Sequence, residues 1–445
     1  VRPAGVPAHA LGRGGGRRGG GGGEARDGGR GSDVDGDPGG GGSEGIHGLA
    51  NRVREYAAEQ IRPSQTRWLV GPADVVAAHI ERLPEYKNRK RDLNDPITVN
   101  WVVGPASAGS GGHTTLYRII RYLDLAGYNN NVYFYNPFKA DLKYYEKIAR
   151  ESYGVKCNIA SIDSGMADAD AVFATSWDTA YPVFNASCAG KRFYFIQDYE
   201  PYFYPVGANS VLAENTYRMG FHGVTAGRWL TEKLRAEFGM QADFFPFGCD
   251  TKAYGRDASV KRNGVAFYAR AQTARRGVEI GILALSVFAE RNPDIDIHVY
   301  GQNAGSLPFK FIDHGLVNPK QLNQIYNQCF AGLTLSLTNA SLVPVEMLAA
   351  GCIPVVNDAA HNRIVIDNPH VRYAATTPHA LAAELEAIVR SERFEDISRR
   401  ASESVQSISW DTSGEAVDTA IRRALGEGET KGRPCQMAES RVGLS

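Results

Sequence analysis

The feature that most constrains the fold of this chain is a regular alternation between short apolar segments and longer amphipathic ones. From about residue 97 onward, runs rich in β-branched and aromatic residues, such as ITVNWVVG and KRFYFIQD, alternate with helical patterns such as DLKYYEKIARESYG. Continuous apolar runs of strand length are typical of parallel strands that are covered by helices on both faces. The sequence therefore predicts an α/β fold built on parallel sheets.

The strand-like segments form two series, which indicates two doubly wound, Rossmann-like domains. The first series reads ITVNWVVG, NVYFYN, DAVFATSW, KRFYFIQD and HGVTAG, and the second reads GVAFYAR, DIHVYGQ, AGLTLSL, IPVVND and VRYAAT. A polar, glycine-containing run at residues 250–264 separates them. A length of 445 residues with 43% hydrophobic content is sufficient for two such cores. We expect an N-terminal domain at 51–255 and a C-terminal domain at 256–406, facing each other across a central cleft.

The two ends of the chain read differently from its middle. Residues 1–50 are rich in glycine and arginine and have little apolar surface to bury, so we expect a disordered tail. WDTSGEAVDTAIRRALG has helical periodicity and predicts a terminal helix within 407–426. The remaining segment, 427–445, is predicted to be a flexible tail.

Charge and cysteine usage limit the class of partner and the compartment. The formal net charge is zero, so no global field favours nucleic acid. The six cysteines form no C-x-x-C pair and mostly lie in or beside apolar runs, which favours reduced thiols and a cytoplasmic location. No apolar stretch approaches the length of a spanning helix, which leaves peripheral contact with the inner face of a membrane as the remaining membrane association. Histidines and acids show no metal-ligand spacing, so we expect no metal site.

One charged residue in the second domain stands out in the segment TNASLVPVEMLAAGCIPVVND. The loop after AGLTLSL leads into a helix whose free N–H groups attract phosphate, so Ser341, Leu342 and Val343 are candidate donor-binding residues. Glu346 lies in the first turn, where its carboxylate can accept hydrogen bonds from sugar hydroxyls next to that phosphate. A purely local interaction of Glu346 with the helix dipole is the alternative.

Three arginines follow the first strand of the same domain. Arg270 ends that strand, and Arg275 and Arg276 lie at the start of the next helix. Positive charge is unfavourable at a helix start, whereas guanidinium groups there can hold a diphosphate and neutralise a departing nucleotide. We therefore interpret the three arginines as donor-binding residues for an anionic ligand.

The first domain has a glycine-rich loop, SAGSGGHTTLYRII, between a strand and a helix. Its glycines do not have the G-x-G-x-x-G spacing, which argues against a redox dinucleotide cofactor. At a cleft, Gly111 and Gly112 would let backbone N–H groups approach phosphate or sugar oxygens, and we interpret them as donor-binding. His113 would face the cleft as a candidate catalytic residue, with an ordinary helix-start histidine as the alternative.

The segment IQDYEPYFYPVG follows a strand and places acids at its carboxyl end. Asp198 is a candidate catalytic or acceptor-binding residue, and Tyr199 and Glu200 are candidate acceptor-binding residues, because carboxylates can bind or activate hydroxyls and aromatic rings can stack on sugars. A structural role for Asp198 and core packing of the tyrosine remain alternatives.

These motifs together resemble the donor domain of GT-B glycosyltransferases of family four. That family has a strand ending in G-R, a basic residue five positions later, and an E-x7-E motif before a G-x-P-V-V strand. Arg270, Arg275, Glu346 and GCIPVV match, but Thr338 stands where the earlier acid of the motif is expected. The resemblance implies a nucleotide-sugar site and catalytic involvement of Glu346, with altered contacts to the transferred sugar.

Over about residues 97–425 the chain more closely resembles WsaF-type rhamnosyltransferases, through GPASAGSGGHTTLYRIIRYL, FATSWDTAY, YFIQDYEPYFYPVG, FYARAQTARRGVEIG and SLVPVEMLAAG. The resemblance implies the GT-B fold and retaining transfer of L-rhamnose from dTDP-rhamnose to a cell-surface polysaccharide or lipid-linked glycan, without a cofactor or metal. A transferase that uses a UDP- or GDP-sugar, a sugar-nucleotide epimerase and a non-catalytic glycan-binding protein remain alternatives.

Overall fold

A computed structural model describes residues 68–92, 94–105, 109–137 and 141–427. The tail predicted at 1–50 and residues 428–445 of the tail predicted at the other end lie outside these residues. Among the described residues, no helix has both the length and the apolar content needed to cross a membrane.

The N-terminal sheet has seven parallel strands in the order β3-β2-β1-β4-β5-β6-β7. The strands are β1 (Thr98–Val103), β2 (Asn129–Phe134), β3 (Asn158–Ser161), β4 (Ala171–Ala174), β5 (Lys191–Ile196), β6 (His222–Ala226) and β7 (Ala242–Phe245). The order turns back between β1 and β4, so loops that leave these two neighbours diverge and open a crevice at their carboxyl ends.

The C-terminal sheet has six parallel strands in the order β10-β9-β8-β11-β12-β13. The strands are β8 (Gly264–Tyr268), β9 (Asp296–Tyr300), β10 (Ile312–Asp313), β11 (Cys329–Leu333), β12 (Ile353–Asn357) and β13 (Arg372–Ala374). Here the order turns back between β8 and β11. Arginines follow β8 and the Glu346 loop follows β11, so topology places both sets of side chains at one crevice.

Helices connect the strands. They are α1 (Pro72–Ala77), α2 (Gly111–Leu125), α3 (Leu142–Tyr153), α4 (Trp177–Asn185), α5 (Ala208–Asn215), α6 (Arg228–Phe238), α7 (Val278–Arg291), α8 (Pro319–Gln328), α9 (Val343–Ala349), α10 (Ala360–Ile366), α11 (Pro378–Val389), α12 (Phe394–Glu403) and α13 (Trp410–Ala424). The fold class predicted from the alternation, α/β with two parallel-sheet domains, is confirmed.

Three strands were not predicted from the sequence: β3, β7 and β10. They lie at sheet edges or are only two residues long, and their side chains are partly exposed. An edge strand lacks the continuous apolar run of a central strand, so its sequence resembles a loop.

The terminal helix α13 packs on the N-terminal domain although it follows the C-terminal one. Val417, Ala420 and Ile421 are buried in the core formed by β1 and α2. Gly414 lies against Tyr122, and a Cβ added there would be 2.2 Å from the ring. The chain therefore crosses between the domains twice.

Candidate functional site

A cavity of about 710 Å³ lies at the carboxyl ends of both sheets and is lined by residues of both domains. Its N-terminal wall comes from the segments after β1, β4 and β5, and its C-terminal wall from those after β8, β9 and β11. A crevice at a topological switch point is where open α/β sheets bind ligands. The cavity brings together residues that are more than 200 positions apart in the sequence.

The three arginines line the C-terminal wall. Arg270 follows β8 by two residues, and Arg275 and Arg276 lie in the 3-10 turn Ala274–Arg276. Arg276 donates from Nη1 to Ser336 Oγ at 2.6 Å, and its burial, together with Arg275, lowers its pKa. Within the described part of the chain, neither Arg270 nor Arg276 forms a salt bridge. Crowded guanidinium groups with little compensating charge favour binding of a polyanion.

Glu346 is half-buried on α9 and lines the same wall. Burial raises the pKa of its carboxyl to about 7, and the nearby Arg118 of α2 and a hydrogen bond with Tyr254 oppose that rise. Tyr254, Tyr268 and Tyr300 line the cavity around it. The carboxyl is therefore a polar group in a largely aromatic surrounding, where a hydrogen bond from a ligand hydroxyl would be strong.

The loop before α9 also reaches the cavity. Ser341, Leu342 and Val343 line it, as the sequence predicts for donor-binding residues. Ser341 Oγ is buried and has no hydrogen-bond partner among the described residues. An unpaired buried hydroxyl at a cavity wall is costly unless a ligand or water supplies the partner.

Asp198 forms an ion pair across the two domains. Its Oδ2 lies 3.2 Å from Arg275 Nε, and its Oδ1 accepts a hydrogen bond from the Tyr199 N–H at 2.9 Å. Burial raises the pKa of this carboxyl, whereas Arg275 and the hydroxyl of Thr338 lower it. Asp198 therefore lies beside Thr338, the position at which the E-x7-E pattern lacks its first acid.

The glycine-rich loop and His113 form part of the opposite wall. Gly111 and Gly112 begin α2 and line the cavity, and Gln197 Nε2 donates to the Gly112 carbonyl at 3.0 Å. His113 Nε2 lies 3.2 Å from the Gly104 carbonyl, and Nδ1 lies 2.9 Å from Ser110 Oγ. The carbonyl needs a donor, which assigns the proton to Nε2 and leaves Nδ1 as the acceptor. Burial lowers the pKa of His113, so the ring is neutral at pH 7.

Glu200 and Tyr199 are placed differently from the sequence prediction. Glu200 accepts the Trp177 N–H at 2.6 Å and the Tyr194 hydroxyl at 3.3 Å, and burial raises its pKa to about 8. Glu200 reaches the cavity wall but is bonded to the protein framework. Tyr199 is 3% exposed, packs on Tyr217 and is not among the residues that line the cavity. The short 3-10 turn after β5 directs its ring into the core, so Tyr199 is corrected to a packing residue.

Asp178 and the aromatic residues of the cavity were not predicted from the sequence. Asp178 is the second residue of α4 and lines the N-terminal wall with Trp177. Its signal was present, since it closely follows the buried strand β4, whose carboxyl end had to open on the cleft. Tyr254, Tyr268 and Tyr300 carry no such signal, because buried tyrosines are most often core residues.

Comparisons with known proteins show which families the chain is similar to. The model of the WsaF N-terminal domain matches residues 160–226, and that of the WsaF C-terminal domain matches residues 263–386. The O-antigen biosynthesis protein RfbC of Myxococcus xanthus is 30% identical over 269 residues, which are 58% of this chain and 21% of that protein. The chain thus spans about a fifth of the length of this relative.

Solved structures share the fold at low sequence identity. Sucrose-phosphate synthase from Thermosynechococcus elongatus has a TM-score of 0.58 at 12% identity, covering 74% of this chain and 99% of that one. A protein described as a UDP-N-acetylglucosamine 2-epimerase from Listeria monocytogenes has a TM-score of 0.50 at 12% identity, covering 75% and 98%. These similarities show the fold alone. With both WsaF domain models matched in chain order on this two-domain architecture, the predicted resemblance to WsaF-type GT-B glycosyltransferases is confirmed.

Proposed function

We propose that the protein is a retaining glycosyltransferase that transfers a sugar from a nucleoside diphosphate to a glycan acceptor. The observation that carries the proposal is the arrangement of Arg270, Arg275 and Arg276 on one wall of a cavity whose other wall supplies acids and a neutral histidine. A diphosphate between the arginines would supply negative charge to Arg270 and Arg276, which form no salt bridge within the described residues, whereas Arg275 is already paired with Asp198. The matches to the WsaF domain models and to the O-antigen relative support the same reaction class.

The donor that we propose is dTDP-L-rhamnose. This assignment rests on the resemblance to WsaF-type rhamnosyltransferases, because the geometry at Glu346 does not distinguish the deoxyribose of dTDP from the ribose of UDP or GDP. The Glu346 carboxyl would accept a hydrogen bond from the 3′-hydroxyl of a deoxyribose, and a ribose would offer one more hydroxyl. Thymine would lie among the tyrosines of the C-terminal wall, where aromatic side chains can stack on a base.

The residues of the chain suit a front-face mechanism. Guanidinium groups stabilise the charge that develops on the leaving diphosphate, in a cavity where electrostatic interactions are strong. Breaking the anomeric carbon–oxygen bond leaves a phosphate oxygen that takes the proton of the attacking hydroxyl on the same face, so the configuration is retained. To bond the sugar or phosphate, His113 would have to exchange its hydrogen bond with the Gly104 carbonyl or with Ser110 Oγ for one with the ligand. Because arginines supply the positive charge, we expect transfer to need no added divalent cation.

The acceptor that we propose is a growing cell-surface polysaccharide or a lipid-linked glycan, as the name of the Myxococcus xanthus relative indicates. The enzyme would then act in the cytoplasm, at the inner face of the cell membrane.

The experiment is a turnover assay with dTDP-rhamnose, UDP-glucose and GDP-mannose, each with and without a panel of p-nitrophenyl glycosides. We expect release of dTDP that depends on the acceptor and, because transfer from a donor with the β configuration is retaining, a β-linked rhamnoside by NMR. Conversion of the sugar without an acceptor would identify an epimerase instead. Binding of dTDP, UDP and GDP by calorimetry separates the donors, and the absence of binding for all three would refute the proposal.

A further inference from the structure

The cavity is electrostatically divided between its two walls. All its arginines belong to the C-terminal domain, whereas the described residues of the N-terminal wall include three acids, Asp178, Asp198 and Glu200, and no lysine or arginine. Asp198 is neutralised by Arg275 at 3.2 Å. The charge that remains on the N-terminal wall is therefore carried by the other two carboxyls.

Glu200 is not available as a free carboxylate. Its Oε2 accepts the Trp177 N–H at 2.6 Å, so it fixes the first turn of α4. Burial and the neighbouring Asp178 raise its pKa to about 8, so Glu200 is mostly protonated at pH 7. Through this bond to Trp177, Glu200 helps to position the next residue, Asp178.

Asp178 lines the cavity. Burial raises the pKa of its carboxyl, whereas hydrogen bonds from the Ser176 hydroxyl and from the backbone N–H groups of Asp178 and Thr179 lower it. Ser176 Oγ donates to Oδ1 in a short hydrogen bond. Oδ2 faces the backbone of Gly104, where a Cβ would lie 3.9 Å away, and no hydrogen bond from another side chain is made to it within the described residues. Trp177 and Tyr204 line the same wall with aromatic side chains.

We propose that Asp178 is the acceptor-binding carboxylate, that it accepts a hydrogen bond from a hydroxyl of the terminal acceptor sugar, and that the wall it forms selects sugars without negative charge. This proposal rests on the proposed function and adds the class of acceptor. A uronic acid or phosphorylated sugar would place a second anion beside Asp178 with no basic group on that wall to offset it, which is strongly unfavourable in a partly dehydrated cleft. A neutral hexose or deoxyhexose offers hydroxyls to the carboxylate and apolar ring faces to the aromatic residues.

The chain contains a matched control for this residue. The tetrapeptide SWDT occurs at 176–179 and again at 409–412, each time as a serine N-cap followed by the first turn of a helix. Asp411 is exposed and lies outside the cavity, whereas Asp178 lines it. Asp178→Asn and Asp411→Asn therefore make the same chemical change at the same helix position, and only the first changes the cavity.

The test compares p-nitrophenyl α-L-rhamnoside with p-nitrophenyl β-D-glucuronide as acceptors, with a fixed saturating donor. For the wild type we expect turnover of the rhamnoside and at least tenfold lower kcat/KM for the glucuronide. Asp178→Asn should raise the KM for the rhamnoside by about tenfold or more, as expected for losing a hydrogen bond to a charged group, and should narrow the ratio between the two acceptors. Asp411→Asn should match the wild type in both.

A second variant keeps the Asp178 carboxylate and adds a methyl group beside it, which should hinder the approach of the acceptor sugar. Gly104→Ala adds a methyl group 3.9 Å from Asp178 Oδ2, and among the described residues it meets no other atom within 4 Å. It should raise the acceptor KM and leave the affinity for dTDP unchanged. This variant keeps the proposal testable if Asp178→Asn lowers the yield of folded protein.

Binding of dTDP to the wild type distinguishes a failure of the Asp178 proposal from a failure of the proposed function. If dTDP binds and the sugar is transferred, but both variants keep the wild-type acceptor KM or the wild type uses the glucuronide equally well, the role of Asp178 is refuted and the proposed function stands. If the wild type binds no nucleotide, the proposed function itself fails.

Discussion

Replacing Glu346 with glutamine should make the protein more stable at high pH and weaker at binding a nucleotide. The carboxyl lies in a partly buried, aromatic surrounding, which raises its pKa from 4.5 to about 7. A group whose folded-state pKa is raised contributes its full stability below the unfolded pKa and loses it as the pH rises through the folded pKa. The folded wild type should therefore lose stability between about pH 4.5 and pH 7 because of this group.

The magnitude follows from the size of the rise. A pKa change from 4.5 to about 7 corresponds to at most about 3 kcal/mol of unfavourable free energy for the ionised carboxyl well above pH 7. Glutamine keeps the shape and removes the charge. At pH 8.5 we expect Glu346→Gln to be more stable than the wild type by about 1–3 kcal/mol, and at pH 4.5 the two should be nearly equal.

Binding should change in the opposite direction. A hydrogen bond to an ionised carboxylate contributes about 1.5–3 kcal/mol, whereas a hydrogen bond to a neutral amide oxygen contributes about 0.5–1.5 kcal/mol. The loss of about 1 kcal/mol corresponds to an affinity for dTDP about fivefold lower at pH 8.5. Stabilisation combined with weaker binding is the pattern of a residue retained for its ligand at a cost to the fold.

The assay is urea denaturation at pH 4.5, 7 and 8.5, together with dTDP titration by calorimetry at pH 8.5. Other titrating groups are shared by both proteins, so the difference between variant and wild type isolates Glu346. A variant that is equally or less stable at pH 8.5 would show that burial does not disfavour the charge. Unchanged affinity for dTDP would show that Glu346 does not bind the nucleotide and interacts only with its own helix.

Arg270→Ala should weaken binding of dTDP by about 2 kcal/mol in calorimetry, because it removes one guanidinium partner of the diphosphate, whereas Arg372→Ala, an exposed residue of the same domain, should bind like the wild type; equal affinities would remove Arg270 from the site. Glu200→Gln should leave the stability at pH 4.5 nearly unchanged and flatten its decline between about pH 4.5 and 8, because burial raises the pKa of this carboxyl from 4.5 to about 8 and its stabilising effect is lost as the pH rises between those values; parallel pH profiles from thermal melts would contradict this. Gly414→Ala should destabilise the protein by about 1–3 kcal/mol in urea, because its Cβ would meet the Tyr122 ring at 2.2 Å, and a wild-type midpoint would show that α13 is not held as described.

The ion pair between Asp198 and Arg275 links the two walls of the cavity. Asn339 adds a second link, since its Nδ2 donates to the carbonyls of Gln197 and Ala226 at 3.0 and 3.2 Å. Arg275 is also one of the groups that we assign to the diphosphate. A bound donor would therefore share Arg275 with Asp198.

Much of the architecture could be predicted from the sequence, because central strands and amphipathic helices carry local patterns. Segments such as ITVNWVVG are apolar throughout because β1 is covered on both faces, and the alternation along the chain leaves few arrangements other than two parallel sheets. Arg270 and Glu346 were also predictable, since each follows a recognisable central strand and carboxyl ends of parallel strands meet at one edge.

What the sequence could not decide is which polar groups remain free at the cleft. SWDT is the same tetrapeptide at 176–179 and 409–412, yet one copy lines the cavity and the other is at the surface. Tyr199 and Glu200 follow β5 as closely as Asp198 does, but the 3-10 turn directs the tyrosine into the core and bonds the glutamate to the Trp177 N–H. A local pattern specifies backbone conformation over a few residues, whereas exposure, pairing and pKa depend on atoms brought together from distant segments, and only the packed tertiary structure determines those neighbours.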